Sequence, residues 1–223
     1  MPPKPVLYTT GLIVALSLLA SSLLRGSAPE SPAEWLSPVG PGVAIAGLAL
    51  LFFDAWLWRQ PIIKDFHGRP VLHGTWHGEL ASDWIDDDGE RVEPNPDVFL
   101  VIHQRFWRIS ARLLTAESRS NPLFAELQRG PDGVCELIYV YRNTPRADVR
   151  HRSEVHYGAV VLSAPRDPSH GLEGHYFTDR KTRGSLRLHT RYKDLAGTYA
   201  AARRLAGEEP PSPDSEALSA PGR

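Results

Sequence analysis

The chain has 223 residues, with 25 Lys and Arg against 26 Asp and Glu, a single cysteine and a formal net charge of −1. That length holds one ordinary domain with a small appendage, and the even charge balance excludes bulk attraction to long nucleic acid. One thiol, Cys135, excludes a disulfide framework or a cysteine-based zinc cluster and suits a reducing compartment.

The apolar residues concentrate at the N-terminus. Val6–Leu24 carries no charge and approaches the roughly 20 residues that cross a bilayer as a helix. Val39–Trp58 is a second such run, interrupted only by Asp54, and a Pro/Ser/Glu loop separates the two. A cleaved signal peptide is the alternative for the first run, but no clear small-residue cleavage site follows it. Lys4 precedes the first run and Arg59, Lys64 and Arg69 follow the second, so the positive-inside tendency puts both termini in the cytoplasm. Gly42 and Ala46 are spaced for close helix packing in lipid. Asp54 either reaches the interface or makes a polar contact within a helix cluster. The expected organisation is a two-helix transmembrane hairpin over 1–60, a cytoplasmic β-barrel over 61–195, and a helix with a disordered tail over 196–223.

From Pro70 onward the apolar pattern has a period of two. Candidate strands are Leu72–Leu80, Asp97–Arg105, Trp107–Thr115, Cys135–Asn143, Val155–Ser163, Leu172–Arg180 and Gly184–Arg191. Ser118–Gln128 reads as either an eighth, edge segment or a short helix. "DDDG" at 86–89 and "GPDG" at 130–133 are hairpin-turn signals, and the acidic run lacks the alternating ligands of a calcium loop. These strands predict a small, lipocalin-like antiparallel barrel of eight strands behind the membrane helices, with an interior able to hold one small ligand. "GTW" at Gly74–Trp76 is similar to the lipocalin-type Gly-x-Trp signature. Arg187 or Arg191 is then the cation that packs on Trp76. "KDLAGTYAAARRLAG" predicts a helix after the barrel.

Reacting groups are hard to find. There is no phosphate loop, dinucleotide fingerprint or nucleophile elbow, and no catalytic residue is assigned. His73 and His77 on a strand stand roughly 13 Å apart, too far to share a metal. No metal site and no cofactor are expected. What remains is a binding inventory. Aromatic faces, hydroxyls and amides accompany the cation-rich hairpin "GHYFTDRKTRGSLRLHTR" at 174–191, with Arg180, Lys181, Arg183, Arg187 and Arg191. Arginine with hydroxyls suits phosphate oxygens, and tyrosine or tryptophan suits stacked bases. For any single residue, a solvated barrel exterior is an equally good account. Which strand face points inward is left open.

The ordered set "PVLHGTWHGEL", "VIHQRFWRIS", "ESRS", "LIYVYRNTP", "VHYGAVVL" and "LEGHYFTDRKTRGSLRL", placed behind two apolar runs, resembles a known family. It is similar to the SMODS-associating two-transmembrane, β-strand-rich effectors of CBASS, the bacterial cyclic-oligonucleotide-based antiphage signalling systems. The resemblance implies a non-enzymatic cytoplasmic barrel that binds a 3′,3′-cyclic dinucleotide made by a partner nucleotidyltransferase of the CD-NTase type. Binding is then expected to drive homo-oligomerisation, disrupt the bacterial inner membrane and arrest growth. The matching positions are Trp76, Gln104, Ser118, Ser120, Tyr139, Tyr141, Asn143, His156, Tyr176, Thr178, Arg180 and Thr182, with Tyr139, Tyr141, Thr178 and Arg180 the foremost ligand contacts. Trp76, His156, Gly158 and Gly174 have a second reading as fold-defining. The hollow is expected to be wet and positively charged. A calycin-like binder of a lipid needs an apolar cavity instead, and a membrane-anchored adaptor needs a filled barrel.

Overall fold

The computed structural model describes residues 11, 15, 39–82, 95–151 and 153–207. The chain divides into two compact units, 1–60 and 61–223. In the first, helix α1 (Val39–Ala55) has 17 residues and is followed by a 3-10 turn, Leu57–Arg59, so the helix is shorter than the apolar run that encodes it. Among the described residues no helix is both long and apolar enough to cross a membrane. The expected first span lies almost wholly outside the described residues, as do "DDDG" and the tail from 208. Asp54 is buried within α1, and its carbonyl accepts the indole N–H of Trp58 at 3.0 Å.

The second unit opens with the short helix α2 (Pro61–His67) and continues as eight strands: β1 Gly74–Ser82, β2 Asn95–Gln104, β3 Ile109–Leu114, β4 Ser118–Arg129, β5 Cys135–Pro145, β6 His156–Ser163, β7 Leu172–Thr178 and β8 Arg183–Tyr192. Each strand pairs antiparallel with the next, and β8 returns to β1, so the sheet closes. Closure leaves no edge strand and makes a single inside. Along β5 the alternation is clean: Cys135, Leu137, Tyr139 and Tyr141 are buried, whereas Glu136 and Arg142 are exposed. The inward residues of all the strands merge into one core around Trp76, Leu100, Ile102, Leu137, Tyr139, Leu162 and Leu186.

Of the two readings of Ser118–Gln128 the eighth strand holds and the helix does not, and closure of the sheet gives that strand no edge position. It is a 12-residue strand held between β3 and β5. Its period breaks because Pro122 cannot donate to the ladder and the register shifts between Pro122 and Phe124, turning both Leu123 and Phe124 outward. "GPDG" is the expected turn: Gly130 N–H donates to Val134 O at 2.7 Å and Gly133 takes a left-handed φ of 82°.

A second bulge, between His77 and Gly78, sets the β1–β8 register. It places Trp76 opposite Arg191 and Glu79 opposite Arg187. Gly78 is required there, because a Cβ would collide with the Arg187 carbonyl.

Helix α3 (Tyr199–Leu205) starts later than the sequence pattern suggests, at the Thr198 cap, whose Oγ1 accepts from Ala201 N–H at 3.2 Å. It covers the outer face of β2 and β3, where Phe99, Val101 and Leu114 pack with Ala196 and Ala202. Thr75 Oγ1 pins the approach to this helix, donating to Asp194 O at 2.7 Å and accepting from Ala196 N–H at 2.9 Å.

Candidate functional site

In an up-and-down barrel the starts of odd strands and the ends of even strands share one end. This end, the base, is sealed. Gln104 at the end of β2 is fully buried; its Oε1 accepts from Leu72 N–H at 2.7 Å and its Nε2 donates to Pro70 O at 3.0 Å. Trp76 at the start of β1 is equally buried, and its indole N–H donates to Leu72 O at 2.8 Å. Arg191 packs on the Trp76 ring with Cζ 5.6 Å from the centroid, while Nε and Nη2 donate to His73 O at 3.0 and 2.7 Å. Arg191, not Arg187, is therefore the tryptophan's cation. Trp76 and Gln104 spend their polar groups on closing the barrel.

The other predicted site residues gather toward the opposite end, where β7 turns into β8. Facing pairs in the ladders bring Ser120 against Asn143, Asn143 against His156, Tyr141 against Gly158, and Gly158 against Thr178. One layer deeper Tyr139 faces Val160, and Val160 faces Tyr176. Directly opposed residues of adjacent strands share a sheet face, which settles the parity: Tyr139, Tyr141, Tyr176, Thr178 and His156 all belong to the inward set.

The turn at this end is tightly tied. Thr178 N–H donates to Thr182 O at 2.9 Å, the two hydroxyls lie 2.6 Å apart, and Asp179 N–H donates to Tyr157 O at 3.0 Å. Lys181 takes a left-handed φ of 64°, where the chain reverses. Arg180 projects from this turn, exposed, with no hydrogen bond or ion pair to a described residue. Ser118 is tied to Thr115 through a hydroxyl contact of 3.1 Å, and Ser120 Oγ accepts from Leu113 N–H at 2.7 Å, leaving its own proton to give.

Electrostatics joins these groups. Burial, reinforced by Tyr176, pushes the Tyr141 phenol up to about 12, while the Arg180 charge works the other way. Burial also holds His156 below its ordinary value, with the Glu154 carbonyl at 3.0 Å opposing and Arg180 adding to the depression. Tyr139 is entirely buried, which raises its phenol well above the ordinary range, and its hydroxyl has no hydrogen-bond partner among the described residues. The Tyr139 and Tyr141 rings lie 5.9 Å apart. At neutral pH the lining is therefore uncharged, made of phenols, hydroxyls, an amide and a neutral imidazole, with Arg180 at its rim.

This corrects the expectation of a positively charged hollow, and the expectation that the hairpin's cations as a group meet phosphates. Arg187 lies outside, pairing with Glu173 at 2.8 Å and Glu79 at 3.6 Å. Arg191 belongs to the base, and Arg183 is exposed on the outer face. The base half of the interior is packed with side chains. Two residues outside the predicted contacts help build this end, Gly158, which reads in the sequence as fold-defining, and Asp179. Gly158 is bare because a Cβ there would collide with the Tyr141 hydroxyl, so it seats that ring. Asp179 sets its charge against Tyr141 and His156. Among the described residues no cluster of three His, Cys, Asp or Glu is placed to hold a metal.

A closed barrel whose inward phenols, hydroxyls and amide gather toward one end, with an exposed Arg180 beside them, has the chemistry of a small-molecule receptor for a polar aromatic anion. Residues 68–190 match the family described as Cap15, cyclic dinucleotide receptor domain. The chain belongs to this family, and the match spans β1 to nearly the end of β8. The chain is also similar to "CD-NTase-associated protein 15" of Yersinia aleksiciae, at 28% identity over 191 residues, covering 81% of this chain and 85% of that protein. It is thus a CBASS effector whose barrel binds a cyclic dinucleotide, and its role is that of a receptor. The two phosphodiesters and two bases of such a ring are what a guanidinium, hydroxyls and tyrosines can take.

Proposed function

We propose that this chain is a bacterial inner-membrane effector in which cyclic dinucleotide capture at the hairpin end of the barrel drives self-association and breaches the bilayer. The ligand contacts in this reading are Tyr141, Asn143, His156, Thr178, Arg180 and Thr182, with Ser118, Ser120 and Tyr176 around them and Tyr139 beneath. Trp76 and Gln104 act at the base instead. Both termini and the barrel lie in the cytoplasm, and the partner that supplies the ligand is a CD-NTase-type nucleotidyltransferase.

The observation that carries the membrane part is the surface of α1. Ile45, Leu48, Leu51 and Phe52 are each more than half exposed on a helix with no charge before Asp54. Water opposes such a surface and lipid accepts it. Self-association finds support on the barrel exterior. The chain's own α3 covers β2 and β3, whereas among the described residues no helix packs on the outer face of β4 to β7. The ladders line up Phe124, Val140, Ala159 and Phe177 across four strands, with Tyr157 beside them, and Phe124 and Phe177 are 53% and 57% exposed. An apolar row of this kind suits a second copy of the chain. A ligand shifts assembly only by binding the assembled state more tightly, and the β6–β7 hairpin carries both Thr178 on its inner face and Phe177 on its outer one.

The test places the full chain in dye-loaded vesicles and adds a panel of 3′,3′-cyclic dinucleotides. At least one member should raise cross-linked oligomers and release dye together. Binding without either response contradicts the proposal. Phe177→Ser, outside the lining, should keep binding and lose both responses.

A further inference from the structure

The base of the barrel presents features that ligand capture at the other end does not use. Ile62 and Phe66, one turn apart on α2, are 89% and 93% exposed. Residues at this spacing share a helix face, so two large apolar side chains stand together in the solvent. His67 meets Phe106 edge-on at 5.6 Å, and the Arg69 guanidinium lies 5.7 Å from the Phe106 ring, so α2 is next to the β2–β3 loop. There Trp107 is 41% exposed.

Beside it is a cleft of about 480 Å³ lined by Arg69, Trp107, Arg108, Ile109, Ala125, Glu126 and Leu127. Arg69 is the notable member. Its Nε is buried without a hydrogen-bond partner among the described residues, and burial lowers its pKa despite the opposing charge of Glu126. Glu126 is the cleft's one carboxylate, against two guanidinia. Lys64, Arg105, Arg129 and Arg166 add positive charge around this end, set against Asp65, Asp132, Glu136 and Asp167, and Arg166 Nη2 donates to the Asp65 carbonyl at 2.8 Å. Half-buried arginine without an acceptor is costly unless an anion supplies one.

We infer that this base is a docking surface for anionic phospholipid, with Ile62, Phe66 and Trp107 entering the headgroup layer and Arg69 with Arg108 taking a lipid phosphate. The inference rests on the membrane-anchor reading of α1. The seven residue steps from Ala55 to Ile62 span at most about 25 Å, so a bilayer holding α1 keeps α2 within reach of its surface. Exposed apolar side chains flanked by cations are the chemistry of interfacial helices, and anionic lipid complements the charge. Docking this end fixes the barrel upright, with the hairpin end turned away from the membrane and open to a soluble messenger.

The test uses the full chain, in which Cys135 is the single, buried thiol. In a Cys135→Ser background, Asp65→Cys carries an environment-sensitive fluorophore, and Phe177→Cys carries it as the control on the outer wall. Vesicles contain phosphatidylethanolamine with or without phosphatidylglycerol, plus nitroxide-labelled lipid. With phosphatidylglycerol present, the label at 65 should be quenched several-fold more by nitroxide lipid than the label at 177, and shielded from aqueous iodide. Arg69→Ala with Arg108→Ala should abolish that difference while leaving cyclic dinucleotide affinity and melting temperature unchanged. Equal iodide quenching at both positions in chain that floats with the vesicles overturns the docking surface alone. Chain that fails to float overturns the anchor and the docking surface with it. Loss of cyclic dinucleotide affinity in the double variant would assign the cleft to the messenger and overturn the lipid assignment.

Discussion

The two ends of the barrel draw on the same residue types and use them in opposite ways. At the base, an arginine, an amide and a tryptophan are mutually satisfied: Arg191 on Trp76 and His73 O, Gln104 bridging Leu72 and Pro70. At the hairpin end polar capacity is left over: among the described residues neither the exposed Arg180 nor the buried Tyr139 hydroxyl has a hydrogen-bond partner. Saturated polar groups make stability, and in the proposed reading the unsaturated ones at the hairpin end are what the ligand meets. Residue type alone does not distinguish a lock from a site. Partner count does.

The contrast makes substitutions at the two ends separable. Trp76→Ala should have the largest effect, removing a fully buried ring, its hydrogen bond and the seat of Arg191; a loss of about 3–5 kcal/mol is expected in chemical denaturation. Gln104→Leu leaves Leu72 N–H and Pro70 C=O buried without partners and should cost about 2–4 kcal/mol, with cyclic dinucleotide affinity of the remaining folded protein unchanged. A Gln104 variant that folds normally and fails to bind would break the division between the ends. Arg180→Ala should do the reverse. Losing one charge-assisted contact weakens binding by about tenfold or more in calorimetry, and the melting temperature stays put because the side chain is exposed and unpaired.

The smallest effect is one of pH. The folded barrel holds His156 below its ordinary value of 6.5, chiefly by burial. The unfolded chain therefore binds a proton first as pH falls. Stability should be full above that value and decline as pH drops below it toward the depressed folded pKa. His156→Gln should flatten the decline in that window, read as melting temperature against pH.

Much of this fold was legible because antiparallel strands write alternation into the sequence, and β5 alternates without a break. Where a bulge intervenes, the reading fails. Ser118–Arg129 lost its period at Pro122–Phe124, and the partner of Trp76 stayed open because the shift at Gly78 decides which arginine faces it. The candidate site was legible as an inventory and not as a place. Strand order does carry the missing information: Trp76 opens β1 and Gln104 closes β2, so both had to lie opposite the β7–β8 turn. The satisfied state of Arg187 and Arg191 was not legible, because their acceptors, Glu79, Glu173 and His73 O, come from other strands or chain segments. Exposure of Ile62 and Phe66 was hidden for a simpler reason: seven residues are too few to show a helical period.

The most direct test is hydrogen exchange of the full chain with and without its cyclic dinucleotide, followed by peptide. Ligand should slow exchange at 118–120, 141–143, 156–158 and 176–182 and leave 70–76 and 102–104 unchanged. Protection concentrated around Trp76 and Gln104, with the β7–β8 turn unaffected, would contradict the account.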